Sequence, residues 1–238
     1  EHGRAGLAAS GGRAAARADM EVAALKVGGR LSAELTRPPE ADLLLVLAHG
    51  AGADFRHANM LGISAALARQ AIATLRFNFP FMEEGRRRVD NQATSVGCIL
   101  AALETAQEAA PDLPLFVGGH SYGGRMASHA VLEPGAPHVN GLVFCSFPLH
   151  PPKQPGTERA AHLADVALPM LFLSGTRDGL ATPALMEALV AELPDAQLHW
   201  LDTADHGYKI LKRSRQSEED VFDELARIAA AFMRRVSG

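Results

Sequence analysis

The run LPLFVGGHSYGGRMAS, Leu113–Ser128, decides how the rest of the chain is read. It opens on apolar, strand-favouring residues and continues as a helical pattern from Tyr122, with Ser121 at the junction. Serine at the start of a helix is ordinarily a cap, because its hydroxyl accepts from a free backbone N–H. Here glycine stands close on either side, at Gly119 and Gly123. A cap has no need of that. A sharp strand-to-helix turn does, because it brings backbone segments closer than a β-carbon allows. Such a turn lifts the serine above the sheet at the positive end of a helix, where its hydroxyl can serve as a nucleophile. G-x-S-x-G is a short pattern in a chain with 22 glycines, so partners elsewhere must decide.

Outward from this run, short apolar segments alternate with helical ones. VAALKVG and RLSAELTRP read as two strands of a hairpin turning at Gly28-Gly29. LLLVLA, Leu43–Ala48, is apolar without interruption, as a strand buried on both faces should be. HANMLGISAALARQ reads as a helix, AIATLRFNFP as a strand and FMEEGRRRVDN as a polar loop. QATSVGCILAALETAQEAA is the next helix. VNGLVFCSF, ALPMLFLSG and AQLHWLD are further strands, PALMEALVAEL is helical, and SEEDVFDELARIAAAFMRRV is a long closing helix. Strands joined by helical crossovers require an α/β fold with a mainly parallel sheet covered on both faces. Ligands of such sheets bind beyond the carboxyl ends of the strands.

Composition bounds the rest. With 238 residues, 47% apolar and 21% charged, residues 20–238 suit one large domain that buries roughly 70–75% of its unfolded surface. Residues 1–19, EHGRAGLAASGGRAAARAD, lack hydrophobic periodicity and read as a disordered extension, with an organelle transit peptide as the lesser alternative. A net charge of −4 and no basic stripe give no sign of a nucleic-acid partner. No apolar run approaches the ~20 residues of a membrane-spanning helix. Two cysteines, Cys98 and Cys145, are too few for a disulfide framework and read as buried thiols in a reducing, cytoplasmic setting. Nothing in the sequence signals an oligomeric state.

A serine nucleophile needs a base. Of ten histidines, His206 in DTADHGY stands on a loop after the last strand and before the final helix, free to reach the site. His57, His129, His138, His162 and His199 have no such placement and read as surface or satisfied core residues. The base needs an acid to fix its tautomer, and Asp178, just after the strand ending GTRD, is the candidate. Asp202 and Asp205 are rivals, but lie too near His206 along the chain without an unusual loop. For the oxyanion of a tetrahedral intermediate, the backbone N–H of Tyr122 is one donor and that of Ala51, in AHGAGAD, the other.

In HGAG, GHSYGG, GTRD and DHGY, the chain from about Leu43 onward resembles the α/β-hydrolases. FNFPF…GRR and SYGGRMAS further resemble a subgroup of short bacterial hydrolase-like proteins, with a testis-expressed protein and a histone-acetyltransferase-complex subunit among its eukaryotic relatives. The resemblance implies an eight-stranded sheet with Ser121 as nucleophile, His206 as base and Asp178 as acid. The interval PLHPPKQPGTERAAHLADVA is too short for a cap domain, which suits a small-molecule acyl substrate. The expected activity is that of a serine hydrolase on an ester or thioester, with no metal or organic cofactor. The rival is a binding or scaffold protein that keeps the fold without turnover. His49, Arg125 and His150 are candidate substrate contacts; for His49 the ordering of its own loop is the favoured role, and for His150 a structural one. Arg125 opposes the helix dipole, so it is expected to pair with Glu83, Glu84 or Asp90, or else with an anionic substrate group.

Overall fold

The computed structural model describes residues 20–238, and the expectation for 1–19 lies outside them. Eight strands are formed: β1 Glu21–Val27, β2 Leu31–Arg37, β3 Leu43–Ala48, β4 Ile72–Phe77, β5 Leu115–His120, β6 Leu142–Cys145, β7 Met170–Gly175 and β8 Ala196–Leu201. Their order across one sheet is β1-β2-β4-β3-β5-β6-β7-β8. β1 and β2 form the expected hairpin, with positive φ at Gly28 and Gly29. β2 pairs antiparallel with β4, and every pairing from β4 through β8 is parallel. This is the α/β-hydrolase architecture.

The helices are α1 Ala58–Arg69, α2 Pro80–Glu83, α3 Gln92–Ala109, α4 Tyr122–Ala130, α5 Pro183–Glu192 and α6 Val221–Ser237. One face of the sheet packs on α1 and α6 through Met60, Ile63, Leu67, Leu225, Ala229 and Met233. The other packs on α3, α4 and α5 through residues such as Ile99, Leu103, Met126 and Met186. β3, β4, β6 and β7 are buried along their whole length because both faces are covered. Between β6 and β7 there is a 3-10 helix, Glu158–Asp165, and no cap domain. No helix of the described residues is long and apolar enough to cross a membrane.

Two differences from the sequence reading have a local cause. Residues Pro80–Glu83 close a helical turn where a loop was expected, because Pro80 occupies its first turn and presets φ. The closing helix starts at Val221 rather than in SEED: Asp220 caps it by accepting from the N–H groups of Phe222 and Asp223.

The centre of the sheet depends on missing side chains. A β-carbon on Gly118 would lie 1.8 Å from the Val143 carbonyl oxygen, and one on Gly123 would lie 2.4 Å from that of Ala48. Gly97, in α3, has nothing within 4 Å of that position. Gly123→Ala is therefore expected to lower stability by about 1–3 kcal/mol through overpacking. Gly97→Ala should raise it by about 0.5–1 kcal/mol, because alanine is the better helix former. Urea unfolding of the two variants checks both signs.

Candidate active site

Ser121 ends β5 at φ 53°, ψ −115° and starts α4. Its backbone N–H donates to the Cys145 carbonyl at 2.9 Å, which fixes the turn to β6. The residue occupies the N-cap position, but its hydroxyl makes no cap bond. Instead Ser121 Oγ lies 2.8 Å from His206 Nε2. His206 Nδ1 lies 2.8 Å from Asp178 Oδ2. Residues from the ends of β5, β7 and β8 thus form one chain of hydrogen bonds. An imidazole whose Nδ1–H is held by a carboxylate presents a bare Nε2, which accepts the serine proton.

Each member is held by backbone. The Asp178 side chain is 0% exposed, and its second oxygen, Oδ1, accepts the Leu180 N–H at 2.8 Å. The rival acids are used differently. Asp205 Oδ1 accepts from the N–H groups of Gly207 and Lys209, both at 2.9 Å, and so builds the turn that carries His206. Asp202 accepts from Gln216 N–H at 2.8 Å.

His120 is a part the sequence reading missed. Its Nε2 donates to the His206 carbonyl at 2.9 Å, tying the loop that carries His206 to the residue before Ser121. Burial pulls its pKa down to about 4, with the His206 charge adding to the effect, so the ring is neutral at pH 7. The signal was its position directly before Ser121 at a strand end.

The loop carrying Ala51 follows β3 and is fastened from the end of β4. Buried Arg76 donates to the Phe55 carbonyl at 2.9 Å and pairs with Glu34. Phe55 N–H donates to Asn78 Oδ1 at 3.1 Å. His49 is fully buried: Nδ1 donates to the Gly50 carbonyl at 2.8 Å and Nε2 accepts the Phe79 N–H at 3.0 Å. Both nitrogens are occupied, so His49 orders the loop and offers no face to a substrate. Burial brings its pKa to about 4. Ala51, His57, Met60, His120, Ser121 and His206 line a cleft of about 260 Å³. A larger hollow, about 390 Å³ and lined by Leu132, His138 and Leu168 among others, lies past the far end of α4 and holds no nucleophile. Tyr122 is the first residue of α4, so its N–H has no partner within the helix.

The other two candidate contacts do not line the cleft. His150 is 2% exposed; Nδ1 donates to the Pro151 carbonyl at 2.8 Å, and Nε2 is buried without a partner. Arg125 does not meet its expected acids. Glu83 accepts from Ser32 and Asn78, while Glu84 and Asp90 both pair with Arg86. Cys145 is buried, which pushes its thiol up to about 12 and removes it as a rival nucleophile.

Residues 41–234 match the family described as alpha/beta hydrolase domain. Among solved structures, dienelactone hydrolase from Anabaena variabilis superposes with a TM-score of 0.70 at 20% identity, over 91% of this chain and 97% of that one. An alpha-beta serine hydrolase homologue from Coxiella burnetii gives 0.67 at 19%, over 90% and 96%. An α/β serine hydrolase without a lid from Xanthomonas campestris gives 0.67 at 19%, over 90% and 94%. At these identities the likeness concerns the fold.

The buried histidines set a pH dependence. His49 and His120 have folded pKa values of about 4, below the unfolded value of about 6.5. The unfolded chain therefore binds more protons between those values, and the stability present above pH 6.5 is lost as pH falls toward 4. Each ring should withdraw on the order of 1 kcal/mol per pH unit across that window. Urea midpoints measured from pH 7.5 to 5 check this; a flat profile would mean the native fold protonates both rings.

Proposed function

The chain belongs to the α/β-hydrolase family, and from that premise we propose that it is a serine hydrolase acting on an ester or thioester of a small acyl group. The observation that carries this reading is the unbroken hydrogen-bond chain Asp178–His206–Ser121, at 2.8 Å for each link. In the first half-reaction, His206 Nε2 takes the hydroxyl proton while Ser121 Oγ bonds to the carbonyl carbon. The negative oxygen of the tetrahedral intermediate is received by the N–H groups of Tyr122 and Ala51, each donor contributing roughly 3–4 kcal/mol. The bond to the leaving oxygen or sulfur then breaks, and the proton on His206 passes to it. Water repeats the sequence on the acyl-enzyme: His206 takes its proton, and returns it to Ser121 Oγ as the acid departs.

Asp178 holds the Nδ1–H tautomer and stabilises the imidazolium without itself accepting a proton. His120 is a positioning residue in this scheme, because its bond to the His206 carbonyl holds the base over Ser121. An uncapped cleft of about 260 Å³ suits short, soluble substrates better than long acyl chains.

A fluorophosphonate probe should label the native chain and fail to label Ser121→Ala; equal labelling of both would remove Ser121 from the mechanism. Asp178→Asn should lower kcat on a nitrophenyl ester by about 10³–10⁴-fold, read beside its thermal midpoint to separate turnover from folding. For His120, glutamine supplies a donor where phenylalanine cannot. His120→Gln should keep most of the turnover, while His120→Phe should lose kcat by about tenfold or more with little change in KM. Equal losses in the two variants would reduce His120 to a packing residue.

A further inference from the structure

α4 carries Arg125 one turn beyond Ser121, and the Arg125 N–H donates to the Ser121 carbonyl at 3.1 Å. Long side chains on a helix lean back toward its N-terminus, the end of α4 that adjoins Ser121. The cleft lined by Ala51 and Met60 opens from Ser121 toward α1. Arg125 belongs to α4, which packs on the opposite face of the sheet.

There α4 meets the 3-10 helix Glu158–Asp165. The two are joined where His129 stacks on His162, with ring centroids 3.5 Å apart and 16° between planes. Ser128 Oγ donates to the Arg125 carbonyl and lies 2.7 Å from His162 Nε2, which donates to it. Arg125 precedes His129 by one α-helical turn. Arg159 precedes His162 by one 3-10 turn, a spacing at which side chains eclipse. Each arginine therefore stands one turn from an imidazole of the stack, and both are part-buried.

This seam holds cations without acids. Neither Arg125 nor Arg159 has a hydrogen-bond or ion-pair partner among the described residues. Glu83, Glu84 and Asp90 are engaged elsewhere, and the Glu158 carboxylate folds back against Gly156. Burial, and after it the Arg159 charge, pull the Arg125 pKa down. Burial, then His129, then Arg125 bring His162 to about 4, so both neighbours of the stack stand as neutral rings beside charged arginines. Two part-buried guanidinium groups at one seam repel, and an anion bound between them relieves that repulsion. Their planar forks of N–H donors match carboxylate and phosphate oxygens.

We propose that Arg125 and Arg159 form an anion subsite beside Ser121, and that the substrate carries a carboxylate or phosphate group that binds there. The proposal rests on the serine-hydrolase reading and adds the chemical class of the substrate. An ester spanning the site lays its carbonyl on Ser121 and its anionic end over the first turn of α4. The absence of a cap domain leaves this seam open to that end.

The test compares pairs of esters that differ in charge and little else, each corrected for its alkaline hydrolysis rate. For an anion on the acyl side the pair is 4-nitrophenyl hydrogen adipate and 4-nitrophenyl hexanoate. For one on the alcohol side it is 4-acetoxybenzoate and 4-methylphenyl acetate. In at least one pair the native chain should favour the anionic ester in kcat/KM by about tenfold or more, and the preference should shrink as salt is raised. Arg125→Gln should bring the ratio close to one. Arg159→Gln, at the other side of the seam, should lower it severalfold and keeps the test open if Arg125→Gln does not fold. No charge preference in either pair, or a preference that survives both replacements, overturns the subsite; fluorophosphonate labelling of Ser121 would then leave the hydrolase reading standing. A chain that takes no label overturns both.

Discussion

The carbonyl of Ala48 stands within 2.5 Å of where a β-carbon would project from either Gly119 or Gly123. That close approach is the constraint on which the site depends. It lets the end of β5, the first turn of α4 and the end of β3 share one small volume at the centre of the sheet. Because they share it, Ser121 and the loop after β3 line one cleft above the strand ends. Any other residue at these positions would push α4 outward and separate Ser121 from the loop after β3.

Around that turn, buried polar groups fix the loops that the strands themselves do not. His49 bridges the loop after β3 to the end of β4, using both ring nitrogens. His120 bridges the β5 end to the His206 backbone. Asp205 closes the turn that carries His206 by accepting two backbone N–H groups. All three stand next to residues of the proposed mechanism and orient them, which accounts for polar side chains in positions where apolar ones would be cheaper to bury. Burial keeps both bridging rings uncharged at pH 7.

The seam between α4 and the 3-10 helix is electrostatically the opposite. Elsewhere the described arginines mostly have acidic partners, as Arg76 has Glu34, Arg69 has Asp223 and Arg234 has Asp42. Arg125 and Arg159 have no acidic partner among the described residues and each stands one turn from the stacked imidazoles. An arginine in the first turn of a helix already opposes the dipole, and a second one across the seam adds to that cost.

The sequence by itself determined the order of strands and helices, because uninterrupted apolar runs and glycine-flanked junctions report burial and close backbone approach directly. It also marked Ser121, Asp178 and His206 as candidates, since each falls just past a strand end where this topology collects its ligands. It could not reveal the work of Arg76, Asn78 and His120, whose partners lie across the sheet. It favoured structural roles for His49 and His150, but did not show the backbone groups that they meet, since an imidazole beside a strand end looks the same in sequence whether its nitrogens meet solvent or backbone. Arg125 was legible as an anomaly, but its expected acids are close in space only on paper: hydrogen bonds to Arg86, Asn78 and Ser32 had claimed them. Side-chain pairing is decided by three-dimensional competition among neighbours, and that competition exists only once the chain has folded.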